Sequence, residues 1–205
     1  MISEKLNLLR SRKAAILSYK KMSKSAVLLP LIEKENELYI LFEKRAQSLK
    51  RQPGEICFPG GGIESDDRNP MEAAIRETSE ELGIDEEDID VICPLDIVVS
   101  PFNAIIYPYL AVINKPEKIA HNNFEVEDII LIPMSFLNNH PPQVEYLKIS
   151  LEPSEDYPFH LIPHGINYPF RASRYPQFFY KYEETVVWGL TALILTHFLE
   201  LFNSQ

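Results

Sequence analysis

Glu77, Glu80 and Glu81 stand three and four residues apart in the run Arg76-Glu77-Thr78-Ser79-Glu80-Glu81-Leu82-Gly83-Ile84. On a helix these spacings put the three carboxylates on one face. Like charges so placed repel, each i,i+4 pair costing a few tenths of a kcal/mol, on the order of 0.2–0.5. A divalent cation would reverse that sign. Clustered carboxylates are the ligands Mg²⁺ and Mn²⁺ prefer, with water filling the remaining octahedral positions. Taken alone, an E-x-x-E-E run is more often a solvated acidic face, here with Arg76 paired to Glu80. The context shifts the balance, because a glycine turn, Gly60-Gly61-Gly62, precedes the helix. Glycines let backbone amides and carbonyls come close to a metal or a phosphate.

The elements that must position these residues are legible around them. Asn69 is a good N-cap, Pro70 takes the first helical position and Glu72 completes an N-x-x-E capping pattern. Gly83 is placed to stop the helix after Leu82. Ala26–Ile32 and Leu38–Phe42 read as antiparallel strands across a polar turn, and Ile56-Cys57-Phe58 as a short strand feeding the glycines. Further strands are expected at Ile89–Cys93, Asp96–Val99, Ile105–Val112 and Glu127–Ile132. The prolines between 138 and 182 predict no long regular element there. A buried helix is expected over Glu184–Leu201, with His197 a core residue. The interleaved order predicts one α+β domain.

Composition narrows the class. With 205 residues at 45% hydrophobic, the chain can bury a core. A net charge of −10 argues against a nucleic-acid binder. Cys57 and Cys93 are too few for a disulfide framework or a zinc site and fit a reducing, cytoplasmic setting. Residues 1–24 gather Lys5, Arg10, Arg12, Lys13, Lys20, Lys21 and Lys24 against the one acid Glu4. A targeting or membrane-surface segment is one reading. The one adopted is an N-terminal helix over 1–22, packed on the domain through Leu6, Leu9, Ile16 and Leu17, with the main domain spanning 25–205. The apolar run Val186–Phe202 is too short and too interrupted to cross a membrane.

The segment resembles the Nudix box, G-x5-E-x7-R-E-U-x-E-E-x-G-U with U apolar. Arg76 to Ile84 matches every fixed position except Thr78, where an aliphatic residue is usual. The first half departs: Asp67 takes the place of the first Glu, and eight residues rather than seven separate it from Arg76. Both departures are similar to those of the coenzyme A diphosphatase subgroup. That subgroup's upstream signature, L-L-T-x-R-S-x-x-L-(R/K)-x-x-P-G-x-x-x-F-P-G-G, resembles residues 41–61, with Glu43 in place of the hydroxyl residue and Ala46 in place of Ser. Asn123–Asp128 is similar to its N-P-x-E-V-x-E segment without the Pro, and Trp188-Gly189-Leu190-Thr191-Ala192 to its terminal-helix motif.

The resemblance implies an α+β Nudix fold, a mixed sheet between helices. It implies Mg²⁺ or Mn²⁺ held by Glu77, Glu80 and Glu81 with the Gly60 carbonyl, and Arg76 orienting the carboxylates. Glu77 or Glu125 would be the general base, with Glu127 and Asp128 behind them. Arg45 and Arg51, from the basic run with Lys44 and Lys50, would hold phosphate oxygens beside Gly61 and Gly62. Tyr157, Phe159, Tyr168, Phe170 and Phe179 are aromatics to which no role is given. The expected substrate is a small-molecule diphosphate, coenzyme A or its acyl form, cut to 3′,5′-ADP and 4′-phosphopantetheine. The partners expected are no nucleic acid and no membrane, with a monomer or homodimer. Two alternatives stand beside this: hydrolysis of ADP-ribose or another nucleoside diphosphate derivative, and a non-catalytic regulator of the same fold. Retention of all three glutamates counts against the last.

Overall fold

The computed structural model describes residues 6, 7 and 9–204. Its main sheet is built from β1 (Ser23–Lys34), β2 (Glu37–Arg45), β3 (Ile56–Cys57), β4 (Gly60–Gly62), β5 (Ile89–Pro94), β6 (Val98–Ser100), β7 (Ala104–Ile113) and β8 (Val126–Pro133). β1 runs parallel to β7 over nine residue pairs and antiparallel to β2 and β4. β2 also pairs with β3 and β8.

β1 explains the sandwich. Its run Ala26 to Ile32 is buried almost throughout. Alternation sends successive side chains to opposite faces, so a strand covered on both sides reads as an unbroken apolar run. Ala26, Leu28 and Ile32 meet Ala73, Ala74 and Leu82 of the helix α1 (Pro70–Leu82). Leu29 and Leu31 turn the other way, toward Leu195 and Phe198 of the C-terminal helix α3 (Gly189–Asn203). The short helix α2 (Met134–Asn139) follows β8 and buries Met134 and Leu137 in that second core. The expected sheet between helices is present.

α1 has the predicted ends. Asn69 Oδ1 accepts from the Glu72 N–H at 3.1 Å, Pro70 opens the helix, and the Gly83 N–H closes on the Ser79 carbonyl at 2.9 Å. The Glu72 carboxylate reaches back to the Arg68 N–H at 3.0 Å, one residue short of the cap.

Three expectations need correction. The proline-rich stretch contains two long strands, β9 (Gln143–Ile149) and β10 (Ser173–Tyr182), which form a second sheet with β11 (Thr185–Trp188). Pro176 is tolerated inside β10 because β11 pairs only with Phe179–Tyr182. At Pro176 the strand has β9 alone as partner, so one edge is free of hydrogen-bonding demand. The terminal helix begins at Gly189 rather than Glu184, because Val186 and Val187 pair with Lys181 and Tyr180 in β11. The predicted packed helix over 1–22 also fails. Residues 1–5 and 8 lie outside the described residues; Leu6, Asn7 and Leu9 are helical, and 12–16 have no regular structure. Leu6, Leu9, Ile16 and Leu17 are all exposed, Leu17 at 92%. Lys13 interrupts the face that would join Leu9 to Ile16, leaving too narrow an apolar stripe to bury. Contact with the domain is made by Tyr19 instead, whose hydroxyl meets that of Tyr107 at 3.0 Å under the Lys24 ammonium.

Candidate active site

α1 lies close over the glycine strand β4. Gly60 sits at φ 139°, and a side chain there would strike the backbone of Ala26 and Val27. At Gly61 a Cβ would run into the Glu77 carboxylate. Gly60 therefore demands glycine for conformation and close packing, whereas a side chain at Gly61 would displace the Glu77 carboxylate. Gly60 meets the helix through its N–H, which donates to Glu81 Oε2 at 2.8 Å.

Arg76 organises the solvent side. Its Nε and one terminal nitrogen grip the two Asp67 oxygens at 3.1 and 3.2 Å. The other terminal nitrogen lies 2.8 Å from Glu77 Oε1 and 3.6 Å from Glu80 Oε1. The Gly62 carbonyl accepts a longer bond at 3.4 Å. The Arg76 bond, together with the Glu64 N–H at 2.7 Å, holds the Asp67 carboxyl below the usual range. Asp67, the residue that departs from the box pattern, is thus the anchor of the arginine that orients two box glutamates.

The buried side is electrostatically unusual. Glu81 is 5% exposed and Glu43, on β2, only 1%. Burial, then the charge of Glu43, pushes the Glu81 carboxyl up to about 9. Burial pushes Glu43 up to about 7, against the downward pull of the Cys57 thiol and the Arg45 charge. Glu77 is raised by burial, offset in part by Arg76. Glu125 raises all three, so its charge belongs to the same cluster. Cys57, opposite Glu43 in the β2–β3 register, donates its S–H to Glu43 Oε1 at 3.3 Å; burial and that carboxylate push the thiol well above its usual value. Glu43 Oε2 has no partner.

These residues fit a hard divalent cation by donor chemistry, being all oxygen ligands, of which the Glu43 and Glu81 carboxyls form no ion pair among the described residues. Among the described residues, no three His, Cys, Asp or Glu side chains form a ready-made cation cage. Glu77 and Glu80 are turned to Arg76, and Glu81 to Gly60.

The remaining predicted residues divide. Glu125 is exposed on the loop before β8, and its carbonyl accepts from the Ala46 N–H at 2.9 Å, tying that loop to the end of β2. Arg45 is half-buried with its Nε lacking a partner, and it is near enough to Glu43 to lower it. Arg51 is exposed. Glu127 is occupied by Lys44 at 2.6 Å and Gln47 at 3.1 Å, and Asp128 by the Ile129 N–H at 2.9 Å. A groove of about 730 Å³ bordered by Lys44, Ile56, Phe179 and Trp188 contains no box residue. It opens on the sheet face opposite Glu43, since Lys44 and Ile56 alternate with Glu43 and Cys57. Glu43 and Cys57 were missed as site residues from sequence. The one signal was Glu43 itself, an acid where the resembled signature has a hydroxyl.

The chain is a mixed sheet between helices, with an acidic helix held onto a glycine strand. The chain belongs to the Nudix family: the model of the NUDIX domain matches residues 22–147. It is 30% identical over 156 residues to the peroxisomal coenzyme A diphosphatase of Mus musculus, an alignment covering 74% of this chain and 65% of that protein. It is 38% identical over 101 residues to a peroxisomal coenzyme A diphosphatase of Caenorhabditis elegans, covering 48% of this chain and 43% of the relative. The chain thus spans less than two thirds of the length of either. A Nudix hydrolase of Enterobacter sp. is 29% identical over 171 residues, covering 83% of this chain and 78% of the other.

Proposed function

We propose that this chain hydrolyses the diphosphate linkage of coenzyme A or acyl-coenzyme A with Mg²⁺ or Mn²⁺, releasing 3′,5′-ADP and 4′-phosphopantetheine or its acyl form. One observation carries the metal-dependent part: Glu43, Glu77 and Glu81 gather around the glycine strand, each raised by burial and by neighbouring acids, with the charge of Glu125 acting on all three. Such a field favours a bound cation. The coenzyme A part is supported by the signature residues at 41–61 and by the names of the two animal relatives.

When bound, the cation would be held by Glu77, Glu80 and Glu81 with the Gly60 carbonyl, and would neutralise the diphosphate and acidify an attacking water. The chain's residues do the rest. Arg76 keeps Glu77 and Glu80 aligned through its grip on Asp67. The backbone at Gly61 and Gly62 leaves room for phosphate oxygens to approach. Arg45 and Arg51 pair with phosphate oxygens, including the 3′-phosphate of the nucleotide half. Glu125, exposed and near enough for its charge to act on the cluster, or Glu77 takes the proton from water as its oxygen attacks one phosphorus of the diphosphate; the bridging P–O bond breaks and the other phosphate leaves on its half of the substrate.

A substrate panel with the purified protein and either metal tests this. Coenzyme A should be turned over to 3′,5′-ADP, and dephospho-coenzyme A, lacking the 3′-phosphate, should lose most of the rate. Preference for ADP-ribose would overturn the substrate assignment. Binding without hydrolysis under both metals would overturn the enzyme and leave a regulator.

A further inference from the structure

We infer that Glu43 donates an oxygen ligand to the divalent cation at this site, an acidic ligand outside the box. The inference rests on the metal-dependent reading and adds a residue to it.

Glu43 lies on β2, which is buried on both faces, between Phe42 and the end of the strand. One of its oxygens is fixed by the Cys57 S–H at 3.3 Å; the other is buried and has no partner. A buried carboxylate with one free oxygen is costly, and a purely structural role would be better served by an apolar residue or a small hydroxyl. The resembled signature has a hydroxyl at this place. The chain does not neutralise the charge itself: Arg45 makes no ion pair with Glu43 among the described residues, and its own Nε lacks a partner. Of the charges that act on Glu81, that of Glu43 is the largest. Glu43 therefore stands near the box residue that is most deeply buried and that Gly60 holds in place, with one oxygen unclaimed. Glu77 and Glu80 are engaged by Arg76, so Glu43 supplies a buried carboxylate oxygen that no side chain has claimed. Cys57 sets its direction: by occupying Oε1 it leaves Oε2 for a ligand.

The test is Mn²⁺ binding without substrate, followed by the paramagnetic resonance signal of free Mn²⁺ and by the Mn²⁺-induced rise in Tm. Glu43→Gln and Glu43→Thr should weaken Mn²⁺ binding about tenfold or more, the scale of losing a metal-site residue. Their metal-free Tm should equal or exceed that of the parent, which separates a lost ligand from a damaged fold. Glu43→Asp, which keeps a shorter carboxylate, should restore part of the affinity. Unchanged Mn²⁺ affinity in both Gln and Thr variants overturns the role of Glu43 and leaves the metal-dependent reading standing. A parent protein that binds no Mn²⁺ overturns both.

Discussion

Asp88 and Glu81 are nearly equally hidden, at 3% and 5% exposure, and the chain treats them in opposite ways. Asp88 ends the turn before β5 and receives Lys115 Nζ at 2.6 Å on one oxygen and Lys118 Nζ at 2.7 Å on the other. Those two bonds hold its carboxyl below the usual range. Glu81 receives one backbone N–H and otherwise faces Glu43, Glu77 and Glu125, which with burial push it up. A carboxylate kept for structure is given its cations by the chain itself. At Glu81 the chain supplies acids instead, and the one nearby arginine of the box is spent on Asp67, Glu77 and Glu80. The difference separates a finished ion-pair network from one left without its cation, which under the proposed function a metal would complete.

The sharpest way to break this contrast is Glu81→Gln. Loss of a metal-binding oxygen should lower kcat with coenzyme A by about a thousandfold, equivalent to about 4 kcal/mol of barrier. The fold should survive, because the amide oxygen can still accept from the Gly60 N–H and the buried charge is gone. Near-normal kcat with Mg²⁺ or Mn²⁺ would refute the ligand role.

The two carboxylates should also give stability opposite dependences on pH. Asp88 has a lowered folded pKa, so its contribution is complete above the ordinary aspartate range, about 4, and fades as pH falls through the folded value. Asp88→Asn should therefore be less stable than the parent at neutral pH, with the gap closing in acid. Glu43 and Glu81 are raised acids, so the sign reverses. The metal-free fold is favoured below about 4.5 and loses stability as pH rises, through about 7 for Glu43 and about 9 for Glu81. Tm measured in chelator should fall from about pH 5 to 9, flatten in Glu81→Gln, and recover in the parent on adding Mn²⁺. A metal-free Tm that climbs over that range would contradict the unpaired cluster.

Much of the fold was legible because it rests on local rules. The N-cap, the proline at N1 and the stop at Gly83 fixed α1, and the unbroken apolar run announced a strand covered on both faces. The shared helical face of the box glutamates was legible from spacing, while their assignment as metal ligands and an orienting role for Arg76 came only from the resemblance. What escaped depends on long-range register. Nothing near Glu43 in sequence says that Cys57 will stand opposite it, or that Glu81, far along the chain, will face it. Likewise Asp88 looks like one of several surface acids in Glu86-Glu87-Asp88 until Lys115 and Lys118 fold over it. Pro176 read as a strand breaker because the stopping point of β11 is not written locally. The N-terminal stripe read as buried because a helical period shows which face could pack, not whether anything covers it.

The smallest expected effect comes from Glu127, and it sharpens the contrast at short range. Glu125 and Glu127 are two residues apart, and both stand in the segment similar to the family's N-P-x-E-V-x-E. Yet Glu127 is already engaged, by Lys44 at 2.6 Å and Gln47 at 3.1 Å, which lower its carboxyl, whereas Glu125 acts on Glu43, Glu77 and Glu81. Ion pairs between partly exposed side chains contribute little, because solvent screens them and both chains lose freedom. Glu127→Gln should leave kcat within about twofold, the range left to a residue that plays no part in proton transfer, and should change Tm less than Asp88→Asn does. A loss of kcat in Glu127→Gln as large as that in Glu81→Gln, at unchanged Tm, would make Glu127 the base in place of Glu125 or Glu77 and redraw the boundary of the site.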